Sequence, residues 1–255
     1  MRANFDFTGR NVLITGASRG IGLGIAEGFA RAGARLTILA DNPQVHDAAA
    51  GLPGDVAAIQ CDIADRAAVQ AALSGIESLD VLINNAGLER PTPLTGPAPD
   101  TDDTFERVMA INVTGTQNVT RALVGRIKDG GRVVLTSSIW GKTAVPEFSA
   151  YVASKHGILG LMRAWARELG PRRITVNAVC PGWVWTEAAD ASLKAMAKAT
   201  GRPEQELLDE ILSAQAISGL MQPADMAGIY LFLASDAAAN ITGQAISVDR
   251  GEILA

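Results

Sequence analysis

No stretch of this chain approaches the ~20 consecutive apolar residues that a membrane-spanning helix requires, so none is expected. Cysteine is nearly absent. Cys61 and Cys180 are the only two, each near the end of an apolar run and neither in a CxxC arrangement. They read as buried or semi-buried thiols in a reducing compartment, neither a disulfide nor a metal pair. His46 and His156 are the only histidines and have no acidic or cysteine partner at ligand spacing, which argues against a zinc site. Basic runs are missing too. With a formal net charge of −5, a broad surface for nucleic acid is not expected, although a helix N-terminus can still hold a small phosphorylated ligand. The opening MRANFDFTGRN has no apolar core and so does not read as a signal peptide; a cytoplasmic location is the expectation. No repeat, low-complexity tract or linker divides the 255 residues, which points to one domain spanning 1–255.

What is present is an alternation of short apolar runs with longer helical patterns. The runs 11–16, 35–41, 56–62, 79–87, 132–138, 174–182 and 245–251 read as strands. Helical periodicity marks 21–33, roughly 102–128 from an Asp-rich start to a DGG stop, and the stretch containing YVASKHG. Strands apolar on both faces and separated by helices indicate a buried parallel sheet with crossover helices. The expected fold is therefore α/β: a doubly wound parallel sheet in a three-layer α/β/α domain. The Pro-rich stretch 90–99 is expected to be a loop within it. Two short amphipathic helices, broken at Gly201-Arg202-Pro203, are expected over 187–220. They follow a strand end, where open α/β sheets bind ligands, and so are candidates for a helical substrate lid.

Three local features carry chemistry. TGASRGIG (15–22) closes the first strand and opens the first helix. Gly16 permits the sharp turn, Gly20 lets a pyrophosphate approach the backbone, and Gly22 permits close helix packing. Asp41 ends the second strand about 20 residues later, where an acid binds a ribose diol and repels a 2′-phosphate. Arg19, in the loop, pulls the other way. Finally, Tyr151 and Lys155 lie four apart and share one helical face. The pair is either an ordinary surface pair or a tyrosine made acidic by a neighbouring ammonium, since Tyr alone, at a pKa of about 10, is a poor base near neutrality.

Together, TGASRGIG, NNAG (84–87), IN (111–112), SS (137–138), YVASK (151–155) and PGWVWT (181–186) resemble the short-chain dehydrogenase/reductase family, from about residue 8 to the C-terminus. The resemblance implies a Rossmann fold and an NAD(P)-dependent oxidoreductase acting on CH–OH groups. It implies that Tyr151 is the catalytic acid/base and that Lys155 lowers its pKa and holds the nicotinamide ribose. Ser138 then hydrogen-bonds the reacting oxygen, and Asn112 links Lys155 to solvent through a water. The cofactor contacts it implies are Gly16, Ser18, Arg19, Gly20, Ile21 and Gly22 in the loop, with Asp41, Asp62, Ile63, Asn85, Ala86 and Gly87 beyond. Tyr151, Lys155, Pro181, Gly182, Val184 and Thr186 complete that set. The helices over 102–128 and 152–170 are the family's usual subunit interface, so a homotetramer is implied, with a dimer next.

Asp41 favours NAD over NADP. The short segment between Asp41 and Asp62 implies an abbreviated helix, like that of the compact carbonyl, xylulose and sugar reductases, several of which use NADP. Arg250 in VDRG stands where a glycine is usual, which bears on the local turn and on a subunit contact. By family position, Trp140, Glu147 or Phe148, and Trp183 are expected to touch substrate. With no evident arginine for a carboxylate, the expected substrate is a neutral secondary alcohol, polyol or sugar and its ketone. The alternatives are an NADPH-dependent carbonyl reductase, a 3-hydroxy acid dehydrogenase, or a non-catalytic dinucleotide sensor on the same fold.

Overall fold

The computed structural model describes residues 5–95 and 99–254. Seven parallel strands form one sheet: β1 (Asn11–Thr15), β2 (Arg35–Ala40), β3 (Val56–Gln60), β4 (Leu79–Asn84), β5 (Ile127–Thr136), β6 (Thr175–Pro181) and β7 (Ala245–Val248). Their order is β3-β2-β1-β4-β5-β6-β7. The alternation of side chains along each strand divides the core in two. On β1, Val12 and Ile14 face one cluster with Phe29, Ile38, Ile83 and Tyr230. Leu13 faces the other, with Leu82, Leu123, Leu135 and Met162. Each strand thus buries apolar surface on both sides, at about 1.5–3 kcal/mol for a fully buried large side chain, and helices cover both faces. The chain reverses its direction of growth between β1 and β4, and this is where an open α/β sheet leaves a crevice at the carboxyl ends of its strands.

The helices are α1 (Gly20–Arg31), α2 (Gln44–Gly51), α3 (Arg66–Ala72), α4 (Thr101–Met109), α5 (Thr116–Leu123), α6 (Ser149–Leu169), α7 (Glu187–Thr200), α8 (Glu204–Ser213) and α9 (Ala227–Ala234). As expected, α2 is abbreviated, and α7 and α8 break at Gly201, whose φ of 68° ends α7. Other boundaries differ from the sequence reading. The helix expected over 102–128 is two α-helices joined by a π-helical turn, Ala110–Gly115, and it ends at Leu123. The DGG expected to stop it lies inside β5. Leu79 pairs Ile127 and Val81 pairs Arg132, so the glycines sit in an irregularity of the ladder, with Gly130 at φ +80°. Short α3, capped by Asp65 accepting from the Ala67 and Ala68 amides, and apolar α9 were not anticipated. After β7, Arg250 adopts the left-handed conformation a glycine would, at φ 55°. Its guanidinium donates to the Ser218 carbonyl, and Asp249 accepts from the Gly251 and Ile253 amides, so the turn is kept. Residues 96–98 of the Pro-rich loop lie outside the described residues.

Candidate active site

One cleft of about 370 Å³ runs along the carboxyl ends of the strands and gathers nearly all the predicted residues. At one end lies the turn after β1. Thr15 Oγ1 accepts from the Asn85 and Ala86 amides, and Asn85 Nδ2 donates to the Gly16 carbonyl, binding the turn to the end of β4. The contact leaves no room for side chains. A Cβ on Gly16 would fall 2.6 Å from Ala86 Cα, and one on Gly22 would fall 2.1 Å from the Gly16 carbonyl oxygen. No side chain caps the start of α1, so its first amides face the cleft with no intrahelical partner. A glycine cradle opening on uncapped helix amides fits the pyrophosphate of a dinucleotide.

Ser18, Arg19, Gly20, Ile21, Asp41, Asp62 and Ile63 line the same end. Asp41 is exposed, and its Oδ1 accepts from Asn42 Nδ2 at 3.0 Å. Arg19 does not face it. The Arg19 guanidinium donates to Glu187 Oε2, 2.9 Å away at the start of α7. Burial pushes the Asp62 carboxyl up, but the Ala64 amide and the Arg107 guanidinium outweigh it and hold the group below the ordinary aspartate range.

The other end holds Ser138, Tyr151 and Lys155 of the predicted catalytic set, while Asn112 is buried and does not line the cleft. Ser138 ends the strand-to-turn passage after β5, and Tyr151 and Lys155 stand on successive turns of α6. Buried Lys155 donates from Nζ to the Thr136 carbonyl at 2.9 Å, and that Nζ lies 5.3 Å from the Tyr151 ring centroid. Asn112 is on the π-helical turn. Its Oδ1 accepts from the Leu88 amide at 2.7 Å, and its Nδ2 donates to the Leu88 carbonyl and to Ser154 Oγ. A Cβ on Gly87 would fall 3.3 Å from Lys155 Nζ and 3.4 Å from Asn112 Oδ1, so this bare glycine stands between the two. The displaced ladder of a π turn recurs at functional positions because it re-aims a side chain. Here it aims Asn112 at the β4 end.

The electrostatics depart from the simplest expectation. Burial first, then the Glu89 carboxylate, push the Tyr151 phenol above its ordinary value, with the Ser138 hydroxyl opposing them. Burial lowers Lys155 itself to about 8, against the pull of Glu89. Burial and the Glu89 carboxylate thus favour the protonated phenol.

Asn85, Ala86, Gly87, Pro181, Gly182, Val184 and Thr186 line the cleft between the two ends. The 181–186 segment is held by Met221, whose carbonyl accepts from the Trp185 amide. Trp140 and Trp183 also line it, and Trp140 meets Tyr151 edge-on at 6.0 Å. Glu147 is a correction. It is exposed, at φ 68°, on the turn before α6, where its carbonyl accepts from the Thr92 amide, and it does not line the cleft. Its neighbour Phe148 packs on Trp140 at 5.5 Å instead. Sequence reasoning missed Glu89, Asn42 and Glu252, which line the cleft. Only Glu89 had a signal, standing two places beyond NNAG.

The family model described as enoyl-(acyl carrier protein) reductase matches residues 16–252. An uncharacterized short-chain type dehydrogenase/reductase of Sinorhizobium fredii is 37% identical, over 96% of this chain and 98% of that protein. D-beta-hydroxybutyrate dehydrogenase of Cupriavidus necator is 34% identical, over 95% of this chain and 97% of its own length. Among solved structures, L-sorbose reductase from Gluconobacter frateurii, complexed with NADPH and L-sorbose, superposes with a TM-score of 0.89 at 26% identity. That match covers 99% of this chain and 100% of the other.

Proposed function

This chain belongs to the short-chain dehydrogenase/reductase family, and from that premise we propose that it is an NAD-dependent dehydrogenase. It interconverts a neutral secondary alcohol, a polyol or sugar, and its ketone. The observation that carries this reading is the meeting of Ser138, Tyr151 and Lys155 at one end of a cleft whose other end presents the Asp41 carboxylate.

The glycine turn, Asn85–Gly87 and the 181–186 segment would hold the dinucleotide, whose nicotinamide would supply the hydride chemistry between alcohol and ketone. The chain's residues manage the proton and the position of the oxygen. Ser138 donates a hydrogen bond to the reacting oxygen. Tyr151 gives its proton to that oxygen in the reductive direction and takes it back in the oxidative one. The Lys155 ammonium stabilises the tyrosinate that forms. Asn112, fixed by Leu88 and Ser154, sets the end of β4 and α6 against each other and directs the proton path from Lys155 toward solvent.

NAD is favoured because the loop's one cation, Arg19, is already paired with Glu187, while the Asp41 carboxylate forms no ion pair among the described residues. A 2′-phosphate there would meet a like charge, whereas a ribose diol can donate to it. A second reading, an NADPH-dependent carbonyl reductase, has in its favour the likeness to the NADPH-bound sorbose reductase and the short α2. The resemblance to hydroxybutyrate dehydrogenase favours a 3-hydroxy acid instead. On the same family reading the chain assembles as a homotetramer, which light scattering reads as four times the 26.6 kDa chain mass.

The test of cofactor choice is the dissociation constants of NAD⁺ and NADP⁺ for the wild type and Asp41→Ala. NAD⁺ is expected to bind about 10–100-fold more tightly in the wild type, and the mutant is expected to lose that preference. Tighter NADP⁺ binding by the wild type overturns the NAD assignment.

A further inference from the structure

The catalytic end of the cleft contains a carboxylate that the proton-transfer machinery does not use. Glu89 follows the β4 end, is half-buried and lines the cleft with Tyr151 and Lys155. Ser192, on α7, donates to its Oε1 at 3.0 Å. Oε2 takes no hydrogen bond among the described residues, and the group forms no ion pair there. The nearest cations, Lys155 and Arg90, attract the carboxylate without forming an ion pair with it. Lys155 Nζ donates to the Thr136 carbonyl, and Arg90 donates to the Glu89 backbone carbonyl rather than to its carboxylate. Burial raises the Glu89 pKa, which is the mark of a charged group that solvent stabilises poorly.

A carboxylate in this state has a defined appetite. One oxygen is fixed by the protein and the other has no partner among the described residues, so a donor entering the cleft that Glu89 lines gains a charge-assisted hydrogen bond. A substrate hydroxyl supplies such a donor. A substrate carboxylate supplies only a second negative charge, in a space where water screens it weakly. The contact to Ser192 ties this preference to α7, whose first residues Glu187, Ala188 and Ala189 also line the cleft.

We propose that Glu89 is the specificity-determining residue of the site: its Oε2 accepts from a hydroxyl beside the reacting carbinol, so that neutral vicinal diols and their hydroxyketones are taken and hydroxy acids are turned away. This rests on the dehydrogenase reading above and adds to it the feature of the substrate that is recognised.

The test compares kcat/KM of wild type, Glu89→Gln and Glu89→Ala for 2,3-butanediol, 2-butanol and 3-hydroxybutyrate. The wild type is expected to favour the diol over 2-butanol by roughly 10–100-fold, the range of a hydrogen bond to a charged group, with 3-hydroxybutyrate below the diol. Glu89→Ala is expected to bring the diol to within about threefold of 2-butanol. Glu89→Gln, which keeps the shape and removes the charge, is expected to raise 3-hydroxybutyrate relative to the diol. Unchanged ratios, or a parallel fall for all three compounds in Glu89→Ala, overturn the proposal. So does a wild-type preference for the amino alcohol 3-amino-2-butanol over the diol, which makes Glu89 a cation site. Calorimetric titration of the same compounds into Tyr151→Phe protein saturated with NAD⁺ reads Glu89 without turnover. A diol preference there that disappears on adding Glu89→Ala supports the proposal, and equal affinities overturn it. Failure of the wild type to oxidise any of these alcohols with either NAD⁺ or NADP⁺ counts against the dehydrogenase reading alone, because the titration still decides the role of Glu89.

Discussion

The two ends of the cleft are built differently. At the catalytic end, Lys155 and Asn112 are anchored to backbone groups of Thr136 and Leu88 and are almost fully buried. Moving either breaks hydrogen bonds that water cannot replace. At the adenosine end, Asp41 and Arg19 are exposed, and the Arg19–Glu187 pair joins side chains that are 70% and 75% exposed. Such pairs contribute little to stability. The contrast separates what the two ends can do. On the proposed reading the buried end carries the chemistry at the cost of strained ionisation, while the exposed end sets cofactor preference with charges that mutation can exchange at little structural expense.

The buried end gives the larger expected effects. Lys155→Met is expected to lower turnover by about 10²-fold or more, since it removes the charge that stabilises tyrosinate, and it also changes how stability depends on pH. In the folded wild type Lys155 titrates at about 8, below its ordinary 10.5. Between those values the unfolded chain still holds a proton that the folded chain has released, so unfolding takes up a proton and stability rises with pH. Below pH 8 the penalty of burying the ammonium is present in full. Urea melts at pH 7.5 and 10 are therefore expected to show the wild type gaining stability relative to Lys155→Met, by at most about 1.4 kcal/mol per pH unit. A difference that stays constant across that range would place the Lys155 titration outside it and remove the distinction between the two ends.

The exposed end gives the smaller one. Glu187→Gln releases Arg19 and is expected to change stability by no more than ~0.5 kcal/mol. It is expected to tighten NADP⁺ binding by about three- to tenfold while leaving NAD⁺ within about twofold, in line with one freed, solvent-screened charge. Fluorescence titration of both nucleotides checks this. An unchanged NADP⁺ constant would mean that Glu187 does not hold Arg19 back from a phosphate.

The same contrast explains what could be read from the sequence. TGASRGIG and YVASK are short, and a single turn or helix fixes the relative positions of their residues, so the tight turn at Gly16 and Gly22 and the shared helical face of Tyr151 and Lys155 were legible from spacing, while their roles came only from the family resemblance. The parallel sheet was legible for a similar reason, since its strands are apolar on both faces. Contacts between distant parts of the chain were not legible. Glu89 meets Ser192 across 103 positions and Arg19 meets Glu187 across 168. No local pattern announces either pairing. Glu147 failed for the opposite reason. It sits close to Tyr151 in sequence, but the left-handed turn at Glu147 sends the chain past the cleft and leaves the side chain in solvent. The interruption of the 102–128 helix was hidden because nothing in AINVTG breaks a helix; the register shift that aims Asn112 arises from packing against Leu88 and Ser154.

The central claim is that Tyr151 transfers the proton while the rest of the cleft holds the cofactor. It is tested most directly by Tyr151→Phe, which removes one oxygen and leaves the ring against Trp140. Turnover of a secondary alcohol with NAD⁺ is expected to fall by about 10³-fold or more, while the NAD⁺ dissociation constant stays within about twofold of the wild type. A mutant that keeps more than about a tenth of wild-type turnover, beyond what loss of a general acid/base permits, would contradict the account.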